Sequence, residues 1–215
     1  MHTKPEAIIF DFGGVIINID PSLTVQAFEK LSGSKSLVQR NYNDFQRVHN
    51  LFETGEINPK AFRDRVRELL GLKHVDDNGF DNAWNALLLD IPLYRIRLID
   101  DLKSKYRLFL LSNTNEIHYV KYCSDFSRVF KGKTLEGLFE QAFFSFKMGL
   151  KKPDPEIFFT VARQCRLDPD RTLFIDDTLE HVEAALHCGF QAYHHNSMHD
   201  ITSLFGHDSK FCTQL

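Results

Sequence analysis

Three short, uninterrupted apolar runs constrain this chain more than any other feature, because each is closed by residues that an apolar run does not need. Ala7-Ile8-Ile9-Phe10 ends in Asp11, Leu108-Phe109-Leu110-Leu111 ends in Ser112-Asn113, and Leu173-Phe174-Ile175 ends in Asp176-Asp177. Continuous rather than alternating hydrophobicity marks strands covered on both faces, as in a parallel sheet. Ala142–Phe146 and Phe190–Tyr193 supply a fourth and a fifth candidate strand. Helical patterns lie between them. Ile157, Phe158, Val161, Ala162 and Cys165 share one face behind Asp154-Pro155, an N-cap with proline at the first helical position. Leu179, Val182 and Leu186 share another, and Gly189 is a natural stop. Strand and helix alternate from Leu93 onward, which predicts an α/β fold with helices on both faces of a parallel sheet.

One stretch interrupts the alternation. Residues 18–91 carry helical patterns and no convincing strand. Asp20-Pro21 opens one helix with Leu23, Ala27, Phe28 and Leu31 on a face. Asn58-Pro59 opens another with Phe62, Val66, Leu69 and Leu70 inward and Gly71 as the stop, and a third spans roughly Phe80 to Leu89. The expected organisation is a core of residues 1–17 and 92–215 with a small helical domain, 18–91, inserted after the first strand.

Bulk properties narrow the partners. The 215 residues have a formal net charge of -3 and no long run of one sign, so the basic stripe of a nucleic-acid binder is missing. The apolar stretch near the N-terminus is interrupted by Asp11 and is too short for a signal peptide or a membrane span, which points to the cytoplasm. The four cysteines, Cys123, Cys165, Cys188 and Cys212, have no metal-like spacing and read as reduced thiols. Most of the 20 phenylalanines fall in apolar-periodic segments, as Phe62, Phe158 and Phe174 do, and read as core. His194, His195 and His199 follow the last strand candidate and read as exposed loop residues rather than metal ligands.

Ligands of open parallel sheets bind outside the carboxyl ends of the strands, where the polar closures of the three runs fall. Asp11 is followed by Phe12-Gly13-Gly14; on position alone Asp11 could cap a loop, but glycines let backbone N–H groups approach an anion and favour a phosphate cradle. Asn113 with Glu116 reads as a helix capping box, and the same segment could hold a phosphoryl oxygen through the Ser112 hydroxyl at a helix N-terminus. Asp177 with Glu180 reads as a second capping box, whereas Asp176 at the end of an apolar run suits a hard cation such as Mg²⁺. Lys152, just before a proline and a helix entry, is either a solvated loop residue or points back at the strand ends.

Taken in order, these segments resemble the motifs of the haloacid dehalogenase superfamily. Asp11-Phe12-Gly13-Gly14-Val15 matches the first, Leu110-Leu111-Ser112-Asn113 the second, the stretch from Gly149 to Phe158 with Lys152 the third, and Phe174-Ile175-Asp176-Asp177 the fourth. Ile19-Asp20 and Ser112-Asn113-Thr114-Asn115 are similar to segments of its α-glucose-1-phosphatase-like sugar-phosphate phosphatases. The resemblance implies a Rossmann-like core, a helical cap in the insert, and Mg²⁺-dependent hydrolysis of a small phosphomonoester by a monomer or weak homodimer. It implies Asp11, Ser112 and Lys152 as catalytic residues. Gly13, Gly14, Asp20, Ser112, Asn113 and Lys152 would bind substrate, and Asp11, Gly13 (through its carbonyl), Asp176 and Asp177 the metal. Substrate choice would reside near Asp20 and in the segment Phe45–Phe52. Two positions depart from the pattern. Gly13 stands where most such phosphatases have an aspartate acting as general acid/base, and His181 where asparagine is common. Hydrolytic dehalogenation through the same aspartate, and a non-catalytic phosphate-binding regulator, are the alternatives Gly13 leaves open.

Overall fold

A computed structural model describes residues 4–196 and 199–205. In chain order the elements are β1 (Ala7–Phe10), α1 (Pro21–Ser32), α2 (Leu37–Arg40), α3 (Tyr42–Glu53), α4 (Pro59–Leu69), α5 (Asp77–Trp84), α6 (Leu93–Leu102), β2 (Arg107–Ser112), α7 (Glu116–Val129), β3 (Gln141–Phe144), α8 (Ser145–Met148), α9 (Pro155–Cys165), β4 (Thr172–Asp176), α10 (Leu179–His187) and β5 (Gln191–His194). The strands form one parallel sheet in the order β3-β2-β1-β4-β5, the Rossmann-like arrangement. Among the described residues no helix is long and apolar enough to cross a membrane.

The apolar runs alternate between two buried layers. Ile8, Phe10, Leu108, Leu110, Leu173 and Ile175 face α6 and α7, packing with Ile96, Ile99, Tyr122 and Phe126. Ile9, Phe109, Leu111 and Phe174 face α9 and α10, packing with Ile157, Phe158, Val161 and Val182. Burial on both faces is why these strands are apolar at consecutive positions. Register then sets the chemistry. Phe10 pairs with Leu110 on one side and Ile175 on the other, so the next residues, Asp11, Leu111 and Asp176, emerge level with one another. The chain turns from β1 to β2 and β3 on one side and places β4 and β5 on the other, so these ends flank the point where strand order reverses.

Helices α1–α5 have a core of their own, rich in rings. Phe28, Phe45, Phe52, Phe62, Phe80 and Trp84 are all buried there, and Phe52 stacks on Phe62 with centroids 4.2 Å apart. The N-caps of α1 and α4 are the expected ones: Asp20 accepts from the Ser22 N–H and Asn58 from the Ala61 N–H, each followed by proline. Ile117 of α7 joins this core from below.

Several expectations need adjusting. The fourth strand stops at Phe144 and continues as the single turn α8, because Ser145 Oγ pairs with both the N–H and the C=O of Thr114, 2.9 Å each. The fifth strand is one residue later than expected and includes His194. His195 is buried rather than exposed, with burial and nearby Arg95 holding its imidazole down at about 4. The segment Phe45–Phe52 lies in α3, a helix the periodicity did not single out. Cys212 falls outside the described residues.

Candidate active site

Asp11, Ser112 and Asp176 stand at the carboxyl ends of three adjacent strands, all buried. Lys152 reaches them from the loop before α9. Its Nζ lies 2.6 Å from Asp11 Oδ1, 2.6 Å from Asp176 Oδ2 and 2.9 Å from the Leu111 carbonyl, and the residue is 1% exposed. Of its two sequence readings, the solvated loop is therefore wrong. Asn113 fixes the backbone that presents it: Nδ2 donates to the Lys152 carbonyl at 2.8 Å, and Oδ1 accepts the Lys152 N–H at 2.9 Å. That pair of hydrogen bonds replaces the expected capping role. The N-cap of α7 is Asn115, two residues on, whose side chain accepts from the His118 N–H.

Asp177 likewise does not cap α10; Thr178 is the N-cap and makes no side-chain cap bond. The Thr178 N–H instead donates to Asp176 Oδ1 at 2.8 Å. Asp177 packs against the first loop, where Gly14 has φ +69° and a Cβ would collide with the Asp177 carboxylate. Glycine is thus required at 14 by conformation and by space. At 13 the requirement is milder: a Cβ would meet Ile19 Cδ1 at 3.2 Å. His181 Nδ1 lies 3.1 Å from both oxygens of Asp176, so this departure from the family pattern supplies a third partner for that carboxylate.

Charge at the cluster is unbalanced. Carboxylate oxygens of Asp11, Asp176 and Asp177 lie within 4.8 Å of one another, and Lys152 is the cation bonded among them. Burial pushes the Asp11 carboxyl up to about 7, Lys152 opposing and the charge of Asp176 adding to the rise. At Asp176 burial acts the same way, but Lys152 and His181 outweigh it and hold the group at about 2. Asp177 is raised, by burial and then by Asp176. Three carboxylates facing one ammonium leave a formal deficit of two positive charges. With an all-oxygen donor set, the cluster fits a hard divalent cation such as Mg²⁺.

The helical segment meets this site along two contacts. Lys151, adjacent to Lys152, turns the other way: its Nζ donates to Asn50 Oδ1 at 2.6 Å and Glu53 Oε2 at 2.7 Å, both on α3. Gly55, φ +71°, lies so close to the Phe146 carbonyl that a Cβ there would clash. Asp20 serves as the cap of α1, and its carboxylate accepts the Ser22 N–H at 3.0 Å. Nothing in the sequence singled out Lys151, Asn50 or Glu53, since their contacts join residues about a hundred positions apart.

Comparison with known proteins agrees with this geometry. Residues 5–189 match the haloacid dehalogenase-like hydrolases. The chain is 30% identical over 187 residues to a D-ribitol-5-phosphate phosphatase of Bacteroides thetaiotaomicron, covering 86% of this chain and 89% of that one. It is 26% identical to the sesquiterpene phosphatase astK of Aspergillus oryzae, covering 90% and 91%. A HAD family enzyme of Bacteroides thetaiotaomicron, solved in complex with magnesium and inorganic phosphate, superposes with a TM-score of 0.85 at 36% identity over 94% of this chain and 100% of that one.

Proposed function

We infer the activity from a single premise: the chain belongs to the haloacid dehalogenase-like hydrolases. It is a Mg²⁺-dependent phosphoric monoester hydrolase acting on a small phosphorylated metabolite of the sugar-phosphate class. The D-ribitol-5-phosphate phosphatase and the magnesium- and phosphate-bound relative support both the reaction and the cofactor. The observation that carries the reading is Lys152 Nζ, 2.6 Å from both Asp11 and Asp176, which draws the ends of β1 and β4 into one charged cluster.

Attack by a carboxylate on a phosphate dianion is opposed by about 10 kcal/mol at a separation of about 3 Å and an effective dielectric of about 20. Asp11, Asp176 and Asp177, with the Gly13 carbonyl, would hold Mg²⁺, which would supply two positive charges against that opposition. Lys152 supplies one more and fixes the orientation of Asp11. Asp11 forms a bond to phosphorus as the ester oxygen departs, giving an aspartyl-phosphate that water hydrolyses. The Ser112 hydroxyl and the Gly13 and Asn113 N–H groups bind the phosphoryl oxygens as charge shifts onto them, the Gly14 N–H being taken by the Ile17 carbonyl at 2.9 Å. Gly13 offers no side-chain proton, so the departing alkoxide takes its proton from water or from a residue of the helical segment.

Asp11→Asn is expected to release no phosphate from any monoester, and EDTA to silence the wild type until Mg²⁺ is restored. Turnover that survives the substitution removes the nucleophile from Asp11. Turnover of a haloacid with EDTA present moves the attack to carbon.

A further inference from the structure

Beneath the helical segment lies a cavity of about 900 Å³, at the upper end of the roughly 300–1,000 Å³ range of sites that enclose a drug-sized molecule. It opens beside the candidate site. Asn113, which holds the Lys152 backbone, is part of its wall, and so is Ile19, which packs against Gly13. Its apolar wall is formed by Ile19, Phe28, Val38, Phe45, Trp84 and Leu87. Most of these are buried, and the indole of Trp84 is braced by Phe45 edge-on at 5.9 Å and by the His118 ring stacked at 4.8 Å.

Most polar side chains deep in this wall are turned to structural partners, while Gln39, Tyr42 and Gln46 lie on its outer, more exposed side. Thr24 Oγ1 donates to the Trp84 carbonyl and accepts the Leu87 N–H. Glu53 is bonded by Lys151 at 2.7 Å and approached by His49 Nε2 at 3.4 Å. His118 Nδ1 donates to Asn85 Oδ1 at 2.8 Å, Glu29 accepts the Ser36 N–H, and both side-chain ends of Asn113 are taken by Lys152. A polyhydroxylated group reaching the buried part between Phe28, Phe45 and Trp84 would lose hydration with few donors or acceptors to replace it, whereas a hydrocarbon loses nothing.

We propose that this chamber selects phosphate esters whose alcohol carries an apolar chain or ring beyond the carbons next to the phosphate, narrowing the sugar-phosphate class to amphipathic members. The inference rests on the phosphomonoesterase reading and is tested apart from it by two series. With Mg²⁺ present, kcat/KM is measured for ethyl, pentyl and octyl phosphate, and for glycerol 3-phosphate against its octyl ether. Binding of ethyl- and octylphosphonate, which cannot be hydrolysed, is measured by calorimetry. Expected is a rise of at least tenfold with chain length in each kinetic series, carried by KM, and the same order in phosphonate affinity. Val25→Asp, on the exposed side of the chamber, is expected to reduce the octyl-to-ethyl ratio at least fivefold. Phosphate release that is flat or falls with chain length overturns the chamber assignment and leaves the phosphatase. Graded phosphonate binding without any phosphate release retains the chamber and overturns the phosphatase.

Discussion

The strand ends and the helical segment solve opposite problems. At the strand ends, charged groups are buried and each is tied to a named partner: Lys152 to Asp11 and Asp176, Asp176 also to His181, Asn113 to the Lys152 backbone. In the helical segment, rings pack on rings and enclose a chamber. The first region has almost no freedom to change, since removing one member of a buried charged set strands the others. The second can exchange one apolar side chain for another of similar volume at modest cost. Reaction chemistry and substrate choice are thus carried by regions of different tolerance.

Lys152→Met is the strongest way to break this contrast. It leaves buried Asp11 and Asp176 without their cation, and a loss of stability of about 3–5 kcal/mol is expected without added divalent cation, together with loss of turnover. Urea denaturation and a phosphate-release assay check both, and a stability unchanged from wild type would make the ion pairs dispensable. Phe62→Ala strikes the ring core of the helical segment, where Phe62 is fully buried against Phe52 and Trp84. About 3–5 kcal/mol of stability should again be lost, but turnover of ethyl phosphate by the folded fraction should fall less than tenfold. A complete loss would show that the two regions are not separable.

The smallest effect lies at the seam. His118 of α7 stacks on Trp84, and burial, with His49 nearby, holds its imidazole down at about 3 against an ordinary 6.5. An unfolded chain therefore takes up a proton that the fold refuses between those values. This contribution to stability is complete above about 6.5 and is lost as pH falls toward 3, by at most about 1.4 kcal/mol per pH unit. Asp11, raised to about 7, acts with the opposite sign, so the clean measurement is a difference. Between pH 6.5 and 5 the wild type should lose about 1.6 kcal/mol relative to His118→Gln. Parallel curves would mean that His118 titrates freely.

What could be read from the sequence follows the same division. The apolar runs of β1, β2 and β4 are local and continuous, so the strands and their closing residues Asp11, Ser112 and Asp176 could be located one by one. Lys152 was ambiguous until the motifs were taken as an ordered set, because a lysine before a proline has no local signature. Asn113 reads as a cap from its spacing to Glu116, and only the path of the chain gives that role to Asn115 and turns Asn113 to Lys152. His181 had no account because its partner, Asp176, is chosen by the pitch of α10. In the helical segment the rings announced a core, but the chamber is a space between helices and has no residue of its own to betray it.

Lys151 and Lys152 are neighbours in the chain that point to different regions, one to Asn50 and Glu53, the other to Asp11 and Asp176. Anyone grafting a foreign helical segment onto this scaffold to change its selectivity inherits that fork. A donor lacking an acidic residue where Glu53 sits would leave the Lys151 ammonium without its charged partner, next to a Lys152 whose own position Asn113 secures. Compatibility between scaffold and graft is therefore decided at the polar edge of the chamber, where Glu53 meets Lys151.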